Sequence, residues 1–155
     1  MLEFDRILQE NVSLVNREIS ELLDLGDESE NRLLEAMRYA SLNGGKRIRP
    51  FLVAASSGMF NVEQSSVYKV SAAIEMVHCY SLVHDDLPSM DNDDLRRGMP
   101  TCHIAFDEAT AILAGDALLT KAFEILSDPS THLDAEIRAD LCFSLAQAAG
   151  SLGMV

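Results

Sequence analysis

A chain of 155 residues in which 48% are hydrophobic is long enough to bury one sizeable core and too apolar to be disordered. Its formal net charge of −13 argues against nucleic acid, and against an anionic membrane surface, as a partner. No apolar run approaches membrane-spanning length and the start, M-L-E-F-D-R-I-L, lacks a secretory pattern, so a cytoplasmic protein without membrane insertion is expected. Cys79, Cys102 and Cys142, odd in number and without a C-x-x-C, fit reduced thiols in that compartment.

Taken in order, almost every segment has a helical period. Phe4, Leu8, Val12, Val15, Ile19 and Leu22 recur at three- and four-residue steps and predict a first helix, broken at Gly26-Asp27. Leu33, Leu34, Met37 and Ala40 predict a second, ending at Asn43-Gly44. Pro50 opens a third, short and apolar, which Gly58 to Asn61 closes. Asn61 with Gln64 resembles a cap for a long fourth helix that carries Val67, Val70, Ile74 and Val77 and runs into Asp85. Pro88 disfavours helical dihedrals at Leu87, so that helix ends about there. Ala109, Ala111, Ala114, Gly115 and Ala117 make the next helix narrow, which permits close helix–helix approach, and core packing alone explains the run; Asp116 among them needs a partner or an active-site role. Asp128-Pro129 ends it, and Ile137, Leu141 and Leu145 stripe the last. No segment alternates as a strand does, so the expected class is all-α, in one domain.

Two stretches stand out chemically. From Asp85 to Asp94 five carboxylates (Asp85, Asp86, Asp91, Asp93, Asp94) crowd together, followed by Arg96 and Arg97. Such crowding repels unless a cation sits among the carboxylates, and oxygen-only donors suit Mg²⁺ or Mn²⁺ rather than zinc. The arginines suit an anion that the metal also touches, and diphosphate fits both. An EF-hand is excluded, because the twelfth position counted from Asp91 is Cys102, where a bidentate Glu is needed. A solvated acidic loop is the plainer reading. The other stretch is Gly44-Gly45-Lys46-Arg47-Ile48-Arg49-Pro50. Paired glycines let backbone approach an anion, and three cations surround the turn. Its plainer reading is a helix cap at Gly44, a helix starting at Pro50, and charges that are simply solvated. P-loop spacing is absent. His78 lies seven residues before Asp85, on the same helix face and about 10.5 Å away along the axis.

In order and spacing, G-G-K-R-I-R-P, then D-D-L-P-S-M-D with R-R-G-M-P-T-C-H, flanked by E-M-V-H-C-Y-S-L-V-H and A-I-L-A-G-D-A-L-L-T, resemble the trans-isoprenyl diphosphate synthases. The likeness covers nearly the whole chain and is strongest with the bacterial farnesyl branch. It implies an isoprenoid synthase-type helical bundle and Mg²⁺-assisted ionisation of an allylic diphosphate (dimethylallyl or geranyl), followed by attack of isopentenyl diphosphate. It also implies metal ligation by Asp85, Asp86 and Asp91, with Arg96 on the allylic diphosphate. Lys46, Arg49, His78 and Arg97 would hold the homoallylic diphosphate. Tyr80, about 7.5 Å down the helix from Asp85, with small Ser81 beside it, would set chain length at C15. A homodimer is implied as well, and the small-residue helix and apolar terminus favour one as surfaces that monomers seldom expose.

That family has a second aspartate-rich motif, D-D-x-x-D, well downstream, whereas no D-D pair follows Asp94. Residues 1–155 are therefore expected to correspond to the N-terminal half of a single all-α domain, poorly active alone. Two other readings stand beside this one: a non-catalytic half-length relative acting as a partner subunit, and an unrelated acidic metal-binding helical module.

Overall fold

Between Gln64 and Asp85 the apolar and small residues fall on every side of the helical projection, a pattern that belongs to a helix surrounded by others. The computed structural model, which describes residues 3–24 and 31–155, places this helix at the centre. The expected break at Gly26-Asp27 lies outside the described residues. In chain order the elements are α1 (Glu3–Leu22), α2 (Arg32–Leu42), α3 (Ile48–Gly58), α4 (Gln64–Asp85), β1 (Leu95–Arg96), β2 (Met99–Pro100), α5 (Cys102–Ala105), α6 (Glu108–Ser127) and α7 (Ala135–Ala149). The class is all-α. α4 packs against α1, α2, α3 and α6, and it buries Ala72, Ala73, Met76, Val77, Cys79 and Val83. Val15 and Ile19 of α1, Met37 of α2 and Leu118 of α6 close the core around it. Each large side chain so buried contributes about 1.5–3 kcal/mol.

Local chemistry sets most of the helix ends. Asn31, Asp107 and Asp134 accept backbone N–H bonds at the starts of α2, α6 and α7, each satisfying a donor that the helix cannot. Asp107 also accepts from Arg32 and from the Thr110 hydroxyl, and with the Thr110 amide these bonds hold its carboxyl down at about 2. α6 stops at Ser127, before Asp128-Pro129, as the proline requires.

Four expectations need correcting. The third helix begins at Ile48, two residues before Pro50, which occupies the first turn where its missing N–H leaves no intrahelical bond unmade. Asn61 does not cap α4; it sits in a left-handed turn at φ +54°, and Glu63 holds the cap position without a side-chain bond. A small antiparallel hairpin pairs Leu95 with Pro100 and Arg96 with Met99, although no strand was expected. Arg97 and Gly98 make its turn at φ +54° and +81°, the left-handed pair that a two-residue hairpin favours. Finally, Ala111, Ala114 and Gly115 face inward, where α6 packs on α4. That stripe holds the fold together and is not free to make a dimer.

The solvated reading of the Gly-Gly-Lys stretch also fails at one residue. Arg47 is 2% exposed. Its Nη1 donates to Glu75 Oε1 at 2.7 Å, its Nε to Asn16 Oδ1 at 2.9 Å and its Nη2 to the Ser41 carbonyl at 2.5 Å. One side chain thus ties α1, α2 and α4 to the start of α3. Removing either member of this buried pair strands the other charge, so Arg47→Met and Glu75→Leu should each lower stability by about 3–5 kcal/mol. The double variant should recover much of that loss. Urea unfolding followed by circular dichroism checks this, and additive losses would show that the pair is not coupled.

Candidate active site

The loop between α2 and α3 has an unusual backbone. Gly44, Gly45 and Arg47 take φ +77°, +120° and +49°. Gly45 is needed for that dihedral, and the Arg97 guanidinium lies over it, with Nη1 2.7 Å from where a Cβ would stand. Arg97 itself donates to the Gly44 carbonyl at 2.5 Å, so the two motifs, far apart in sequence, touch. The turn leaves α3 with no side-chain cap. Pro50 has no N–H, and the Phe51 amide already bonds Arg47 O, so the amides of Ile48 and Arg49 are left for an anion.

These groups face a cleft of about 630 Å³ that Lys46, Ile48, Arg49, His78 and Arg97 line. The carboxylate in its wall, Glu75, is already paired with Arg47. An acidic protein therefore presents one locally cationic cleft. Burial lowers the His78 pKa, and Arg49, Arg97 and Arg47 lower it further against the opposing pull of Glu75. That direction keeps His78 neutral at pH 7.

The aspartate stretch divides into two kinds of residue. Asp86, 3% exposed, is gripped by Arg96, whose Nε lies 3.0 Å from both carboxylate oxygens and whose Nη2 lies 2.6 Å from Oδ1. That bond raises the Arg96 pKa and engages two of its three nitrogens. Asp85 is half-buried at the end of α4, and Asp91 is exposed. The chain between them folds back so that the Asp91 amide donates to the Asp85 carbonyl at 2.8 Å. Thr101 pins the following loop through its hydroxyl to Asp93 O at 2.8 Å, and Tyr39 anchors the hairpin through Pro100 O at 2.7 Å. The predicted trio is thus split, with Asp86 on the guanidinium and Asp85 and Asp91 open.

Among the described residues no three acidic, His or Cys side chains converge as a closed metal cage. Burial pushes both Cys79 and Cys102 up to about 11, so both are neutral thiols at pH 7.

A second cleft, of about 640 Å³, opens beside Asp85 and is lined by Tyr80, Ser81, His84, Leu87 and Ile112. Tyr80 stands edge-on to His84 with ring centroids 5.4 Å apart. Asp116, the ionisable residue of the small-residue helix, is exposed and stands 3.9 Å from His84 Nε2. Sequence reasoning missed Glu75, Asn16 and the structural role of Arg47. Nothing in a run of three cations marks the middle one as buried.

A profile of the polyprenyl synthetase family matches residues 30–149. Farnesyl diphosphate synthase of Haemophilus influenzae is 53% identical over 99% of this chain and 52% of its own length. That of Escherichia coli is 46% identical over 99% and 52%. A solved FPP/GFPP synthase from Zymomonas mobilis superposes with a TM-score of 0.92 at 49% identity, over 97% of this chain and 54% of its own. The chain spans about half the length of the curated relatives it matches.

The neutral His78 generates a prediction. An anion bound in the cationic cleft would offset those cations and raise the His78 pKa again. Binding of inorganic diphosphate should therefore take up protons, and affinity should strengthen as pH falls. Titration calorimetry in buffers of different ionisation enthalpy should show greater uptake for the unmodified chain than for His78→Gln. Equal uptake would remove His78 from the site.

Proposed function

This chain belongs to the polyprenyl synthetase family, and from that premise we propose that it carries the diphosphate-binding and first aspartate half of a farnesyl diphosphate synthase. Farnesyl diphosphate synthases condense isopentenyl diphosphate with an allylic diphosphate. Here Lys46, Arg49, His78 and Arg97 take the diphosphate of isopentenyl diphosphate, with the Ile48 and Arg49 amides. Asp85 and Asp91 hold Mg²⁺, and Mn²⁺ fits the same oxygen donors. Bound metal would stabilise the negative charge that develops as the allylic C–O bond breaks. Asp86 orients Arg96 towards that diphosphate, and its bidentate grip keeps the guanidinium plane fixed. The prenyl tail lies in the cleft that Tyr80 and Ser81 line, which favours a C15 product from the complete enzyme. The observation that carries this reading is the meeting of both motifs on α4, where the His78 end faces one cleft and the Asp85 end the other, with Arg97 against Gly44 between them.

Residues 1–155 form one structural half of a single domain, and the complete protein acts in the cytoplasm as a homodimer. The small-residue stripe of α6 does not support the dimer; exposed Ile104, Ile112 and Leu113 are the apolar residues left nearby. Among the described residues no helix is long and apolar enough to cross a membrane.

The test is calorimetry of the chain with geranyl thiodiphosphate, with and without Mg²⁺. Affinity should rise with Mg²⁺, and both Asp85→Asn and Asp91→Asn should abolish most of that rise, roughly tenfold or more. Arg96→Lys should weaken binding at fixed Mg²⁺ because the fork is lost while the charge remains. Binding indifferent to Mg²⁺, or to both aspartates, would favour the acidic-module reading instead.

A further inference from the structure

Gly115 sits where α6 passes the end of α4, and the room its missing side chain leaves is already filled. A Cβ built there would overlap His84 Nε2 and stand 2.5 Å from His84 Cδ2. The Nε2 end of the imidazole stands against bare backbone, 3.1 Å from the Ile112 carbonyl. A carbonyl only accepts, so Nε2 carries the proton and donates, which fixes the ring's orientation. On its other side the ring meets Tyr80 at 90° with centroids 5.4 Å apart, the pairing of two residues one helical turn apart on α4. His84 is held between α6 and Tyr80, with freedom towards neither.

Both Tyr80 and His84 line the cleft of about 640 Å³ that also contains Asp85. The position of the tyrosine ring therefore depends on the histidine, and the position of the histidine depends on the absence of a side chain at residue 115. We propose that Gly115 is a specificity-determining residue, setting through His84 and Tyr80 the length of prenyl chain that the cleft admits. The inference rests on the prenyl diphosphate reading of that cleft. Gly115 touches no substrate atom; it is a positioning residue whose influence passes through two aromatic rings. A methyl group at 115 has one place to send the imidazole, away from α6 and into the cleft, against Tyr80. The cleft then shortens and longer tails lose affinity first.

A double-mutant cycle tests this on the chain as it stands, with geranyl and farnesyl thiodiphosphates and Mg²⁺ as calorimetric probes. The quantity read is the ratio of farnesyl to geranyl affinity, which general loss of stability does not move. Gly115→Ala should lower the ratio by roughly tenfold, the lower end of the selectivity that a methylene-sized change in an apolar pocket produces. His84→Ala should raise it, because the clamp on Tyr80 is gone. In the His84→Ala background, Gly115→Ala should have no further effect, since the added methyl then meets empty space. If Gly115→Ala does not fold, His84→Ala alone decides, and an unchanged ratio overturns the proposal. So does a Gly115→Ala effect that is equal for both ligands or that persists without His84. Failure of the unmodified chain to bind either probe would overturn the prenyl diphosphate reading and this inference with it. Binding with an unmoved ratio would overturn the inference alone.

Discussion

Arg47 reaches Glu75 with no part of its side chain in contact with water, and the cationic cleft takes its shape from that contact. Without it the loop through Gly44, Gly45 and Arg47 would have to hold three left-handed dihedrals unaided, two of them at no cost only because they fall on glycine. With it, Lys46 and Arg49, on either side of Arg47, line the cleft while Arg47 itself is drawn into the core. Glu75 lies one helical turn before His78, so the same pair registers the loop against the histidine. A buried ion pair is weak grounds for stability in general, and its use here is to fix one arrangement of chain.

Electrostatics explain why the site is divided between two clefts. The five carboxylates from Asp85 to Asp94 do not act as one cluster. Burying Asp86 against Arg96 removes one negative charge from the group and fixes one positive charge near it. Arg97, next in the chain, turns the other way across the hairpin and covers Gly45. Two adjacent arginines thus serve two motifs, and the hairpin turn at Arg97-Gly98 is what separates them.

Much of this was legible in the chain. The helical stripes of α1 and α2 follow directly from apolar spacing, the all-round apolar surface of α4 marks a surrounded helix, and Pro88 and Pro129 follow the ends of α4 and α6. The motifs and their order were visible because their chemistry needs particular residue types at particular distances. What sequence could not show was direction. The middle cation of Lys46-Arg47-Ile48-Arg49 faces inward because Glu75, Asn16 and the Ser41 carbonyl receive it, and those partners lie on three other segments. The hairpin was missed because its strands are two residues each, too short for alternation, although Gly98 after Arg97 carried the signal of a tight turn.

The central claim is that one helix presents an anion cleft towards His78 and a metal site towards Asp85. Crystals of this chain grown with Mn²⁺ and inorganic diphosphate test it most directly, through the anomalous signal of the metal. A manganese ion is expected within ordinary oxygen-ligand distance of the Asp85 and Asp91 carboxylates, with diphosphate against Lys46, Arg49 and the amides that open α3. Manganese bound only at Asp93 and Asp94, or diphosphate bound away from the Gly44–Arg49 loop, would contradict it.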